Sequence, residues 1–344
     1  MNQTEPPILA EEHWTTRLVD GDEVRMFLYE KVVAAADGSR GARGTILFVH
    51  GSSMASQPTF DLHVAGVPDQ SAMEWFARQG FDTWCVDMEG YGRSSKHRDI
   101  NSDIANGADD LEAASAYIMG ARNCGPLLVY GISSGALRAA LFAQRHPERL
   151  RRLALDAFVW TGEGSPTLEQ RRKRLPEFIG VNRRPIDRAV VRSIFERDHP
   201  GTADDNVIEA FADAILALDD SMPNGTYIDM CSKLPIVDPA QVTVPTIIMR
   251  GQFDGIAAFD DLVAFFARLP NPDKQFAVMP GIAHASFQQK NFRLAFQVLH
   301  AFFTQQEPTY RAWRAQRRSR LLRGAAIGDR GGTSSCASGV EETA

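Results

Sequence analysis

Six short runs of continuously apolar residues, rich in β-branched and aromatic side chains, punctuate the chain: Thr45 to Val49, Thr83 to Val86, Leu127 to Tyr130, Leu153 to Val159, Thr246 to Met249 and Gln275 to Met279. A strand that is apolar on every residue has to be covered on both faces, which is the situation of a parallel sheet flanked by helices. The segments between the runs carry helical spacing. Ser71 to Gln79 places Met73, Phe76 and Ala77 on one face, Ala136 to Gln144 is apolar through most of its length, and Phe259 to Leu269 carries Leu262, Phe265 and Phe266. The order predicts an α/β fold with a doubly wound, mostly parallel sheet, whose functional loops lie at the carboxyl ends of its strands.

One stretch breaks the alternation. Between Trp160 and Val244 no strand is evident, but Thr167 to Phe178, Asp187 to Arg197, Asp205 to Leu218 and Thr226 to Leu234 are amphipathic. A helical insertion of this length is domain-sized, and because it leaves a strand's carboxyl end it is expected to lie over the functional edge as a cap. With 344 residues available, the expected organisation is a first core part over 1–160, a helical cap over 161–243, a second core part over 244–305 and a basic tail over 306–344. The segment from Ser52 to Gln70 is long for a connection, which marks it as a lining of the site.

The segment "VYGISSGALRAA", Val129 to Ala140, fits G-x-S-x-G with a strand before it and a helix after it. A serine on so sharp a strand-to-helix turn has its second neighbours pressed against backbone, so Gly131 and Gly135 are the residues that fit there. The hydroxyl of Ser133 is then aimed away from the sheet, beside a helix amino terminus. The pattern alone also suits a glycine-rich connector, and it is the placement between strand and helix that favours a nucleophile.

A serine hydroxyl needs a base, and the base needs a third group to hold its tautomer. His13 lies in the N-terminal arm, His97 and His199 in polar loops, His146 at a helix end and His300 inside the last helix. His284, in "VMPGIAHASF", follows the last strand and is the candidate base. For the acid, Asp254 in "TIIMRGQFDGIA" lies just beyond a strand and a glycine turn, with Asp156 in "LALDAFVW" as competitor. Asp260 and Asp261 read as the solvated start of a helix, where carboxylates are favoured. The order Ser133, Asp254, His284 is the one associated with the nucleophile elbow.

A developing oxyanion needs donors. One candidate is the backbone N–H of Ser134, the other that of Ser52 in "HGSSM", with Ser53 as the weaker alternative and His50 bracing the loop. Met54, Trp160 and Phe253 adjoin these loops and are candidate pocket residues, although each also suits ordinary core.

Composition narrows the setting. No apolar run approaches the ~18 residues that cross a bilayer, and the start "MNQTEPPILAEEHW" has no basic segment followed by an apolar one, so the reading is a soluble, cytoplasmic protein. Cys85, Cys124, Cys231 and Cys336 lie far apart without CxxC pairing, which indicates neither a metal knot nor a disulfide framework. A net charge of −6 gives no support for nucleic-acid binding. Seven arginines fall after Thr309, in a tail without apolar periodicity that is expected to be disordered.

On these residues the chain resembles the α/β-hydrolase superfamily, up to about Gln305. Besides the elbow, "FVHGSS" is similar to that family's His-Gly oxyanion segment, and "DMEGYGRSS", Asp87 to Ser95, is similar to its D-x-R-G-x-G-x-S stretch, with Glu89 where arginine is usual. The resemblance implies that the helical insertion is a lid over the substrate pocket. Members with an aspartate nucleophile open epoxides or displace halides, which Ser133 argues against. A serine suits acyl transfer to water. The expectation is a serine hydrolase of a small or medium-sized, partly apolar carboxylic ester, working without cofactor or metal on a small-molecule substrate, with an amidase, a carbon–carbon hydrolase or a non-catalytic binding protein as alternatives.

Overall fold

The computed structural model describes residues 6–33 and 40–308. The strands are β1 (Ile8–Val19), β2 (Asp22–Val33), β3 (Thr45–Val49), β4 (Asp82–Val86), β5 (Leu127–Ile132), β6 (Leu150–Asp156), β7 (Arg183–Pro185), β8 (Ser221–Pro223), β9 (Thr246–Gly251) and β10 (Lys274–Met279). Eight of them form one sheet in the order β1-β2-β4-β3-β5-β6-β9-β10. The five pairings from β4 through β10 are parallel, and β1 with β2 and β2 with β4 are antiparallel. All six apolar runs fall on strands of this sheet, although the fourth, Leu153 to Val159, continues three residues beyond β6, which ends at Asp156.

Side-chain alternation explains why those runs are apolar throughout. Leu47 and Val49 of β3 join one core with Val129 of β5 and the helices Ile104–Arg122 and Ser134–Arg145. Ile46 and Phe48, with Leu128, Tyr130 and Ile132, join the opposite core under Ala72–Arg78 and Phe292–Thr304. Both faces of each central strand are thereby removed from water, at roughly 1.5–3 kcal/mol for each large side chain buried.

The N-terminal hairpin is an addition to the sequence reading. β1 pairs with β2 along its full length around a two-residue turn at Asp20 and Gly21, whose φ values of 53° and 93° are those of a type I′ turn. The hairpin also answers the question raised by Glu89. That carboxylate is buried and receives Arg17 of β1 at 3.1 Å and Arg98 at 2.8 Å, so the acidic residue is paired from a strand that continuous apolar runs do not reveal.

Sheet order reverses between β3 and β5: the chain leaves β3 for β4 on one side and returns past it to β5 on the other. Such a reversal opens a crevice at the strands' carboxyl ends. Between β6 and β9 the chain forms the helices Pro166–Lys173, Leu175–Ile179, Arg188–Glu196, Asp205–Leu216 and Gly225–Ser232. A two-stranded ribbon of β7 and β8 joins them, where the sequence showed no strand. The described residues up to Thr304 form one compact unit. The Arg-rich stretch from Thr309 onward, for which disorder was expected, lies outside the described residues. Among those described, no helix is long and apolar enough to cross a membrane.

Candidate active site

β5 ends at Ile132 and the next helix starts at Ser134, leaving Ser133 at φ 58° and ψ −127°. A positive φ is strained for a serine and persists only where the surroundings enforce it. They do so through the two flanking glycines. A Cβ on Gly131 would fall 2.5 Å from the Gly135 carbonyl oxygen, and one on Gly135 would fall 2.4 Å from those of Val49 and His50. The Ser133 N–H donates to the Asp156 carbonyl at 2.9 Å, tying the turn to the end of β6.

The loops after β9 and β10 are bound to each other. Phe253 N–H donates to Ile282 O at 2.9 Å, and Gly251 lets the backbones meet, since a Cβ there would lie 2.3 Å from Ala283 O. This joint brings His284 and Asp254 together. His284 Nδ1 lies 3.0 Å from Asp254 Oδ2, and Nε2 lies 2.9 Å from Ser133 Oγ. Asp254 Oδ1 accepts from the N–H groups of Ile256 at 2.8 Å and Ala257 at 3.0 Å. Burial alone would raise this carboxyl, but His284 and those two donors outweigh it and hold Asp254 down at about 2. An ionised Asp254 accepts the Nδ1 proton, which leaves Nε2 as the acceptor of the serine hydroxyl. All three residues are buried, and Ser133 keeps 8% of its surface open.

Asp156, the competing acid, sits at the end of β6 on the sheet side of the elbow, where its Oδ2 accepts from Tyr130 Oη at 2.7 Å. Burial pushes its carboxyl up to about 7. The bracing of the first loop by His50 is also visible. Its Nε2 accepts from Met88 N–H at 3.0 Å and its Nδ1 donates to Gly51 O at 2.7 Å. Burial, then the nearby Arg138 guanidinium, push this imidazole down to about 3 and keep it neutral. The loop is pinned again where Asp87 accepts from both N–H and Oγ of Ser56, at 2.7 and 2.6 Å.

Ser134 opens the helix Ser134–Arg145, so helical geometry leaves its N–H without an intrahelical acceptor. Its Oγ is fully buried and has no hydrogen-bond partner. The Ser52 carbonyl is taken by Tyr91 Oη at 3.3 Å and Arg184 Nη2 at 2.9 Å, and Ser53 Oγ by Arg184 at 3.0 Å and Tyr227 Oη at 3.3 Å. The serine side chain of Ser53 is therefore engaged by the helical segment.

The candidate pocket residues part company. Phe253, beside Asp254, stacks on His199 with ring centroids 3.9 Å apart. Met54 is buried in the core that includes Tyr91 and Leu137. Trp160 packs on Phe265 and Arg268 and donates Nε1 to Val237 O at 3.1 Å, contacts that include no member of the serine, histidine and aspartate set. Asp261 corrects the sequence reading outright. It is buried, not solvated, because its carboxylate collects the N–H groups of Trp160, Thr161 and Gly162 as the chain leaves the sheet.

Two groups of residues were not singled out in the sequence. Asp198 has a carboxylate oxygen within 4.8 Å of the facing atoms of Asp254 and His284; its Oδ1 accepts from Thr167 at 3.0 Å and its buried Oδ2 has no partner. Arg171 and Arg184 lie over the ring of Tyr227, at 4.2 and 3.8 Å from its centroid. No sequence signal marks either group, because the members come from different helices and ribbons and meet only in the fold.

Three clusters of described residues have the spacing of metal ligands. Glu11, His13 and Glu30 already have Arg40 and Arg122 as cations, and Asp61, His63 and Glu74 have Lys31. The third, Asp198 with Asp254 and His284, is the site just described.

Fold and site together define an α/β hydrolase. More narrowly, the chain belongs to the family described as serine aminopeptidase, S33, which matches residues 41–291. No curated protein matches the sequence. Among solved structures, a thermophilic esterase from Thermogutta terrifontis superposes with a TM-score of 0.59 at 21% identity, over 85% of this chain and 97% of that one. E-2-(acetamidomethylene)succinate hydrolase gives 0.59 at 18%, over 85% and 100%. A monoacylglycerol lipase from Paleococcus ferrophilus gives 0.56 at 13%, over 87% and 99%. At these identities the likeness is one of fold.

Proposed function

We propose that the protein is a serine hydrolase that cleaves a carboxylic ester through an acyl-enzyme. The observation that carries this reading is the unbroken hydrogen-bonded line from Ser133 Oγ through His284 to Asp254, at 2.9 and 3.0 Å. As Ser133 attacks the ester carbonyl, His284 Nε2 takes its proton, and Asp254 stays ionised and stabilises the resulting imidazolium. His284 then returns the proton to the departing alcohol, and a water deacylates the enzyme by the same route. Backbone N–H groups of Ser134 and Ser52 receive the tetrahedral oxyanion, an effect worth about 10²- to 10³-fold per donor. The helices between β6 and β9 serve as the cap.

The family description raises a second reading, hydrolysis of an amide at a peptide's amino end. An aminopeptidase has to bind an ammonium group, for which a spare carboxylate is the natural partner. Arg197 Nε stands 3.5 Å from Asp198, and the neighbouring side of the site carries Arg171 and Arg184. Asp198, whose buried Oδ2 has no hydrogen-bond partner, is the carboxylate this second reading would use, and the anilides in the test below separate the two.

The test is a fluorophosphonate probe combined with a panel of p-nitrophenyl esters, anilides and vinylogous diketones. Adduct formation at Ser133 with ester turnover is the expected result. Turnover of an anilide while every ester is refractory would replace the ester reading with an amidase, and an unlabelled Ser133 in folded protein would favour a binding protein.

A further inference from the structure

We propose, building on the ester-hydrolase reading, that the substrate carries a carboxylate, and that Arg171, Arg184 and Arg197 around Tyr227 form the site that receives it. The cluster flanks the nucleophile on two sides. On one, Arg184 Nη2 binds Ser52 O at 2.9 Å and Ser53 Oγ at 3.0 Å. Those residues adjoin Gly51, where an added Cβ would lie 3.8 Å from Ser133 Oγ, and two residues of chain reach no further than ~7 Å. On the other side, Arg197 precedes Asp198, whose carboxylate is within 4.8 Å of the facing atoms of Asp254 and His284. Tyr227 joins Arg171 to the first side: its Oη meets Ser53 Oγ at 3.3 Å, and the guanidinium groups of Arg184 and Arg171 lie 3.8 and 4.2 Å from its ring centroid.

The charges here do not balance. Among the described residues Arg184 is bonded only to neutral oxygens, those of Ser52, Ser53, Pro223 and Asn224, and Arg171 has no carboxylate partner. Arg197 has Asp198 alone, at 3.5 Å. Half-buried guanidinium groups that outnumber their counter-charges repel one another, so a structural role would be served better by fewer of them or by added acids. Bidentate capture of a planar carboxylate is the chemistry that guanidinium groups suit and a lone ammonium does not. Even an ionised Tyr227 would offset one cation, leaving the cluster positive.

Two pairs of esters test the assignment. Mono-p-nitrophenyl glutarate is compared with p-nitrophenyl pentanoate, which places the anion on the acyl side, and 4-(butanoyloxy)benzoate with phenyl butanoate, which places it on the leaving group. At least one pair is expected to favour the anionic ester in kcat/KM by about tenfold or more, a charge-assisted hydrogen bond's worth. Arg171→Gln should lower that ratio by a similar factor, with part of it kept in Arg171→Lys. Because a variant can fail to fold, glutarate binding to Ser133→Ala is measured by calorimetry in parallel. Ratios at or below one in both pairs with no glutarate binding overturn the anion site while leaving the hydrolase reading intact. Glutarate binding without turnover of any ester or labelling of Ser133 does the reverse.

Discussion

Gly135 and the His50 carbonyl are so close that a Cβ on the glycine would stand 2.4 Å from the carbonyl oxygen. The elbow and the loop after β3 are thus fitted to each other through a glycine, and Gly135→Ala forces backbone to move. We expect a loss of at least about 1–3 kcal/mol in thermal unfolding together with loss of ester turnover. Gly51→Ala, whose Cβ would meet only contacts of 3.4 Å or more, is expected to cost less stability.

Ser133→Ala removes the proposed nucleophile and is expected to lower turnover by about 10⁴-fold or more. Ser134→Ala deletes a buried hydroxyl that has no partner, leaving its N–H in place. Its activity should therefore stay within about threefold of the parent, with a stability change of about 1 kcal/mol or less. Steady-state kinetics on one p-nitrophenyl ester compares the two, and equal losses would mean that the two serines have been assigned in the wrong order.

Asp254 and Asp156 are both buried carboxyls, but their ionisation is pushed in opposite directions. Asp254 is held down from 3.8 to about 2, so its contribution to stability is present above 3.8 and is lost as pH falls towards 2. Asp254→Asn should flatten that acid limb in denaturant titrations and reduce turnover by about 10⁴-fold. Asp156 is raised from 3.8 to about 7, so it costs stability progressively as pH rises across that interval. Asp156→Asn should be more stable than the parent at pH above 7, by on the order of 2 kcal/mol, and should keep far more activity than Asp254→Asn.

Half-buried Tyr227 also has a displaced titration. Burial raises its phenol, but Arg171, Arg184 and Arg197 overcome that and pull it down to about 6, with the Ser53 hydroxyl as its hydrogen-bond partner. Ultraviolet difference titration should show one tyrosinate appearing near neutral pH, absent in Tyr227→Phe. Arg171→Gln should move that transition upward; an unmoved transition would separate Arg171 from the cluster.

Much of this was legible because of where particular residues stand. Leu47, Val49, Ile46 and Phe48 are apolar on both strand faces, so β3 announces itself in sequence. Ser133, Asp254 and His284 each follow a strand, a position that associates them in the sequence itself. β1 is hard to read because polar residues interrupt it throughout, and β2 because its apolar run Met26–Tyr29 is flanked by Arg25, Glu30 and Lys31, although Asp20-Gly21 between them is a strong hairpin signal. Asp261 is ambiguous in sequence because local helix-start chemistry and a tertiary clamp use the same residue type. Arg171, Arg184, Arg197 and Tyr227 could not be associated at all, since no spacing rule connects side chains that only a folded cap assembles.

The clamp at Asp261 also has a meaning for the order of synthesis. The amides of Trp160, Thr161 and Gly162 are satisfied by a carboxylate about a hundred positions downstream, 101 from Trp160. A chain emerging from the ribosome completes β6 and the whole helical segment before that acceptor exists. The point where the segment departs from the sheet is secured only once the helix Phe259–Arg268 has been made, so the segment is translated first and fastened last.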